Sequence, residues 1–200
     1  MGSCGGVGVA GLTLGGGYGL FSRAYGLTCD NLTELTMVDG KGNIHNTKEN
    51  SDLLWACRGG NNGNFGVVTK MKFNTHPAPS GFYSHRFKAY KLDITRAKSL
   101  LETWFEFAGK LPNSCFSAFV LNYKTLTLLI TNFEDDQSGI QPMFDAFKPI
   151  SDKFTMGTKK ELATSLKKYY GIQTPLYFKN ACAGLYKSFE DIRSLSLIHI

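Results

Sequence analysis

The sequence predicts an α+β chain built in two parts, and three observations carry that reading. Glycine is dense and comes in runs over residues 1–77, then thins out. The stretch HPAPSG, residues 76–81, sets two prolines and a glycine between the two regions, the composition of a linker or crossover. From Phe82 onward, segments of period two alternate with segments of helical period, which gives antiparallel strands with helices on one face. With 42% apolar and 13% aromatic side chains in 200 residues, the chain has the means to bury a core.

The glycine-rich part opens with GGVGVAG, residues 5–11, and LTLGGGYG, residues 12–19. TELTMV and NIHNT then read as a hairpin joined through Asp39-Gly40-Lys41-Gly42, a D-G turn. NSDLLWACRG is a short helix capped by Asn50 or Ser51, with Trp55 expected on its inner face and Gly59 ending it. In FGVVTKMKF, alternation puts Phe65, Val67, Thr69, Met71 and Phe73 on one face, expected to be core.

Beyond the linker, FYSHRFKAYKL alternates as a strand. ITRAKSLLETWFEFAGKL places Ala97, Leu100, Leu101, Trp104, Phe105 and Ala108 on one helical face, and Leu111-Pro112-Asn113 ends it. CFSAFVLNY and LTLLITNF form a hairpin with Lys124 and Thr125 between them. QPMFDAFKPI and KELATSLKKYYG read as helices, the second closed by Gly171.

Lys and Arg outnumber Asp and Glu by 22 to 16, but they are scattered, so no nucleic-acid partner is expected. No apolar run reaches the roughly 18 residues of a membrane span, and no membrane partner is expected. The cysteines Cys4, Cys29, Cys57, Cys115 and Cys182 are odd in number and lack C-x-x-C spacing, so neither a disulfide framework nor a metal site is expected. Most read as buried thiols. Cys4 differs, because nothing in its glycine-rich turn is large enough to cover a thiol, and it is a candidate for reaction.

Gly6-x-Gly8-x-x-Gly11 matches the dinucleotide pattern G-x-G-x-x-G. A Rossmann loop opens a helix, however, and the four glycines of LTLGGGYG each cost a helix about 1 kcal/mol. No helix is expected there, and a Rossmann NAD enzyme stays only as an alternative. Glycine also serves a backbone that lies close to a flat or charged ligand, since no Cβ holds the ligand off. Three such sites, GGVGVAG, LGGGYG and RGGNNGNFG, point to one large ligand met by several loops.

The runs CGGVGVAGLTLGGGYGLFSRAYGLTCDNL and NSDLLWACRGGNNGNFGVVTKMKF resemble the FAD-linked oxidases of the berberine-bridge-enzyme-like group, in the vanillyl-alcohol-oxidase superfamily with a PCMH-type FAD-binding domain. The resemblance covers residues 3 to about 77. It implies that residues 1–77 are the later part of an FAD-binding domain and residues 78–194 the start of an antiparallel-sheet substrate domain with flanking helices. It also implies a chain truncated at both ends. LSLIHI, residues 195–200, brings no stop signal and is expected to be a non-native tail.

In members with two covalent flavin links, one comes from a cysteine just before the V-G-x-x-G turn, the position of Cys4. None of His45, His76, His85 or His199 lies where the family's partner histidine would. The resemblance lines the flavin and its phosphates with Val7, Gly8, Gly11, Leu12, Gly15, Gly16, Gly17 and Gly19, and adds Asn64, Gly66 and Val67 from the second run. Leu12 departs from the histidine that several members carry. Ser22-Arg23, Tyr25-Gly26 and Asp30-Asn31 match family motifs, with Arg23 serving either a phosphate or Asp30.

The implied activity is oxidation of a hydroxyl-bearing small molecule by hydride transfer to FAD, with molecular oxygen as electron acceptor. The catalytic base is expected in segments outside this sequence, so residues 1–200 alone should not turn over. A non-catalytic saccharide-binding module is the other alternative, with Phe82, Tyr83, Phe87 and Tyr90 as stacking platforms.

Overall fold

A computed structural model describes Gly2 and residues 7–161. These residues form two compact units, the first reaching Ala78 and the second starting at Pro79.

The first unit contains α1 (Val9–Leu14), α2 (Ser22–Tyr25), a 3-10 turn (Cys29–Asn31), β1 (Leu32–Val38), β2 (Ile44–Asn46), α3 (Ser51–Cys57) and β3 (Val67–Phe73). Its antiparallel sheet has the order β2-β1-β3. The expected hairpin is present. The Asp39 carboxylate accepts the backbone N–H of Lys41 at 2.8 Å and of Asn43 at 2.9 Å, while Gly42 takes φ +84°, so the turn closes on its own side chain. Asn50 rather than Ser51 caps α3, its Oδ1 accepting from Leu53 N at 3.0 Å.

Two expectations about burial fail in this unit. Trp55 is 78% exposed. The face α3 buries is set by Cys57, with Leu53 and Leu54 packed against Leu32, Leu35 and Met37. In a seven-residue helix, a tryptophan off that stripe has nothing to cover it. On β3, Val68, Met71 and Phe73 pack on the core, whereas Val67 is 70% exposed and Thr69 is also exposed. The pairing jumps from Thr36↔Lys70 to Met37↔Val68, so Thr69 is a bulge. One extra residue reverses the parity of the strand before it, and Val68 replaces Val67 inside.

The second unit contains β4 (Gly81–Ala89), α4 (Ile94–Ala108), β5 (Cys115–Asn122), β6 (Thr125–Asn132), a 3-10 turn (Ser138–Ile140), α5 (Gln141–Phe147), β7 (Lys153–Thr155) and β8 (Lys160–Glu161). The strands run β5-β6-β4-β7, with β8 also against β4. Both helices pack on the sheet. Ala97, Leu100 and Leu101 of α4 are buried with Leu128 and Ile130 of β6, and Trp104, Phe105 and Ala108 extend that contact as the helical period predicts. Asp93 caps α4 through Arg96 N at 2.7 Å. Trp104 Nε1 donates to Ser117 Oγ at 2.8 Å, pinning α4 to β5. From α5, Phe144 and Phe147 meet Phe87 at ring distances of 5.7 and 5.8 Å.

The hairpin turn consists of Tyr123 and Lys124, with Tyr123 at φ +52°, and Thr125 already belongs to β6. Lys160 and Glu161, expected to open a helix, pair instead with Phe82 and Gly81 as β8. The rest of that expected helix, Gly171 included, lies outside the described residues, as do Cys4, Cys182, His199 and residues 195–200.

Candidate functional site

The glycine-rich segments of the first unit come together. α1 starts at Gly8, whose carbonyl accepts Leu12 N at 3.1 Å, and passes through Gly11. This corrects the expectation of no helix. Six residues complete the helix before Gly15, Gly16 and Gly17 halt it, the last two at φ +104° and +88°. Immediately beyond, Asn61 N–H donates to Leu14 O at 3.0 Å, which fastens the loop of residues 59–66 to the end of α1. The Asn62 carboxamide then lies along the same side, within 4 Å of where a Cβ would stand on Gly11 or Gly15.

The candidate glycines divide by what their missing Cβ would meet. At Gly8 it would meet nothing within 4 Å, and at Gly11 only Asn62 Oδ1 at 3.9 Å. These positions are exposed, as are Val7 and Gly15. Gly16, Gly17 and Gly19 are buried. A Cβ on Gly17 would stand 2.6 Å from Thr28, and the Gly16 and Gly17 carbonyls accept Cys29 N and Thr28 N, both at 2.9 Å. Gly66 faces Val38 O with room for no side chain. Thus Gly17 and Gly66 are accounted for by their own chain, whereas Gly8 and Gly11 leave open backbone that a ligand can approach. That open cradle fits a flat cofactor.

The remaining candidates are placed as follows. Leu12 is half-buried and turned toward Gly2 and Gly17. Asn64 Nδ2 donates to Gly60 O at 2.8 Å, so its amide is committed within the loop. Val67 pairs with Val38 and exposes its side chain. Asn31 Nδ2 donates to Tyr25 O at 2.9 Å, and Asn31 Oδ1 meets His76 Nε2 at 2.6 Å. The His76 ring stacks on Tyr25 at 4.1 Å. These motif residues brace the strap that holds Gly16 and Gly17. Asp30 Oδ2 accepts Leu27 N at 2.8 Å within that strap.

Electrostatics separate reactive from inert groups. Burial pushes the Cys29 thiol up, with the Asp30 charge acting in the same direction, and burial does the same to Cys57. Cys29, Cys57 and Cys115 are buried thiols, as expected. Desolvation raises Tyr18, with Arg23 opposing. In the second unit, His85 is buried, its Nε2 3.3 Å from Gln137 Oε1 and its Nδ1 accepting Gly157 N–H at 3.3 Å. Phe82 and Phe87 are 2% and 1% exposed, so they cannot serve as stacking platforms for a sugar. No cluster of metal-binding side chains occurs among the described residues, and none of the described helices is long and apolar enough to cross a membrane.

Residues 1–48 match the FAD binding domain family. The FAD-linked oxidoreductase YvdP of Bacillus subtilis is 52% identical over 75 residues, which are 36% of this chain and 17% of the relative. Berberine bridge enzyme-like 8 of Arabidopsis thaliana is 38% identical over 122 residues, 60% of this chain and 23% of the relative. Among solved structures, a glucooligosaccharide oxidase of Acremonium strictum superposes with TM-score 0.75 at 27% identity, covering 86% of this chain and 37% of that one. A chitooligosaccharide oxidase gives TM-score 0.74 at 28% identity over 87% and 37%. The class is therefore that of an FAD-binding α+β flavoprotein, which removes the Rossmann alternative. Within it, the chain is similar to part of the berberine-bridge-enzyme-like, FAD-linked oxidoreductases. It spans about a quarter or less of the length of these curated relatives.

Proposed function

We propose that the complete protein is an oxidase that removes hydride from a hydroxyl-bearing small molecule, with FAD tethered through Cys4 and molecular oxygen taking the electrons. The open glycine cradle at Gly8 and Gly11, inside the stretch matching an FAD binding domain, carries this reading. When bound, FAD supplies the hydride acceptor. In this reading the chain's own contribution is positional. Val7, Gly8, Gly11, Leu12 and Gly15 present backbone to the cofactor, with Gly16, Gly17 and Gly19 fixing the turn behind them. The loop carrying Asn64, Gly66 and Val67 closes the other side. Exposed backbone without Cβ lets a planar ring approach closely and keeps water from the space between. The glucooligosaccharide oxidase of Acremonium strictum carries a 6-S-cysteinyl, 8α-N1-histidyl FAD, which supports a cysteine link.

The test is the visible spectrum of the acid-denatured complete protein beside its Cys4→Ala variant. Yellow colour precipitating with the wild type, and a shifted flavin spectrum in the variant, are the expected result. A colourless pellet with no flavin released overturns the FAD reading, whereas identical spectra overturn only the tether.

A further inference from the structure

Asn62-Gly63 is the one Asn-Gly pair in the sequence, and it stands in the loop of residues 59–66 beside the open glycines of α1. Asparagine is among the chemically labile side chains, and a following glycine exposes it most, because no Cβ keeps the next backbone nitrogen away from the side-chain carbonyl carbon. Gly63 has φ +76°, and a Cβ on it would meet nothing within 4 Å, so the space around its nitrogen is open. Both residues are exposed.

The reacting groups are also uncommitted. No hydrogen bond among the described residues engages the Asn62 carboxamide or the Gly63 N–H; Asn62 bonds only through its backbone N–H, which donates to Asn61 Oδ1 at 2.8 Å. Other asparagines of this unit are held. Asn43 Nδ2 donates to Asp39 at 3.0 Å, Asn50 Oδ1 caps α3, and Asn64 Nδ2 donates to Gly60 O. Asn61 has its side-chain oxygen occupied and is followed by a residue with a Cβ.

We propose that Asn62 is a self-modification site, where the chain converts a neutral carboxamide into a carboxylate. The Gly63 backbone nitrogen gives its proton to solvent and bonds to Asn62 Cγ. The Cγ–Nδ2 bond breaks, Nδ2 leaves as ammonia, and a cyclic imide closes. Water then opens the ring: attack at Cγ restores the ordinary backbone as aspartate, and attack at the backbone carbonyl carbon leaves isoaspartate. Nothing is oxidised or reduced, and water is the one co-reactant.

The new charge falls within 4 Å of where a Cβ would stand on Gly11 or Gly15, in a loop whose residues 59–66 hold no charged side chain. Its effect on the cofactor rests on the reading that this surface seats FAD. The phosphates of FAD are anionic, so a chain that converts before loading takes up less flavin.

The experiment is a timed incubation of the complete protein at mildly alkaline pH, followed by peptide mass mapping and enzymatic detection of isoaspartate. Asn62→Gln and Asn62→Asp variants are compared, with flavin absorbance per chain measured on fresh protein. Asn62 is expected to convert about tenfold faster than Asn113, which is exposed but followed by serine. Isoaspartate should be largely lost in Asn62→Gln, and Asn62→Asp should carry about half the flavin of Asn62→Gln or less. Equal conversion at Asn62 and Asn113, or undiminished isoaspartate in Asn62→Gln, overturns the proposal. Equal flavin in the two variants overturns the effect of the charge. A wild type without flavin fails the FAD reading, while the mapping still decides the modification.

Discussion

Asn61 N–H reaches Leu14 O at 3.0 Å, and this one bond makes the end of α1 and the loop of residues 59–66 a single surface. Segments almost fifty residues apart in sequence thereby share one side of the first unit, and each glycine on that surface has its own physical reason.

Gly17 and Gly8 should respond oppositely to the same substitution. Gly17→Ala forces a Cβ against Thr28 at φ +88° and should cost about 2–3 kcal/mol in urea unfolding. Gly8→Ala enters open space at φ −66° and should change stability by less than about 0.5 kcal/mol, while lowering retained flavin. Equal stability losses in the two variants would contradict the division between packing and ligand glycines.

Trp55→Ala should be nearly silent. At 78% exposure it loses little on truncation, within about 0.5 kcal/mol, whereas Leu35→Ala in the adjoining core should cost about 2–5 kcal/mol. Chemical denaturation of the two variants side by side checks the contrast.

Acid should loosen the β1–β2 hairpin through Asp39. Its hydrogen bond with His45 at 2.9 Å, then those with the Asn43 side chain and backbone, hold the Asp39 carboxyl well below the usual carboxylate range against partial desolvation. The folded state therefore binds this proton less readily than the unfolded state. The contribution is complete above the ordinary value of roughly 4 and is lost as pH falls toward the folded one. Asp39→Asn should flatten the fall in denaturation midpoint below about pH 4; an unchanged slope would count against the hairpin as its source.

His85 should make the second unit less stable in mild acid. Desolvation lowers its pKa, with the bond to Gln137 opposing, so the unfolded state takes up the proton first. Stability is full above roughly 6.5 and declines as pH drops below it toward the folded value. The protection factor of the Gly157 amide, whose N–H donates to His85 Nδ1, should fall over that interval in wild type and stay level in His85→Asn.

How far the sequence carried depended on whether the governing interaction was local. The α4 face from Ala97 to Ala108 was legible because fifteen residues repeat one period against one sheet. The Asp39 turn was legible because its bonds stay within a few residues. The inner face of β3 was not, since the Thr69 bulge is fixed by register with β1, more than thirty residues away. Trp55 misled because size favours burial, while a short helix offers only the narrow stripe through Leu54 and Cys57. In the candidate site, the glycines pointed to a surface with open backbone, but which of them face outward depended on Thr28 and Val38, partners no spacing rule reveals. The Asn62 carboxamide beside Gly11 was missed for the same reason; its only sequence signal was a polar pair interrupting a glycine run.

Among the described residues the small sheet of the first unit ends on β3, which pairs with β1 and carries lysine at alternate positions, Lys70 and Lys72. Along an unpaired strand edge, backbone amides and carbonyls invite a second chain to add its own strand. A two-fold pairing of copies centred on Met71 would set Lys70 of each against Lys72 of the other, like charge on like charge. The same residues that give this chain part of its positive balance thus disfavour pairing of copies along this edge of the described sheet. Exchanging both for threonine would remove that guard without touching the core.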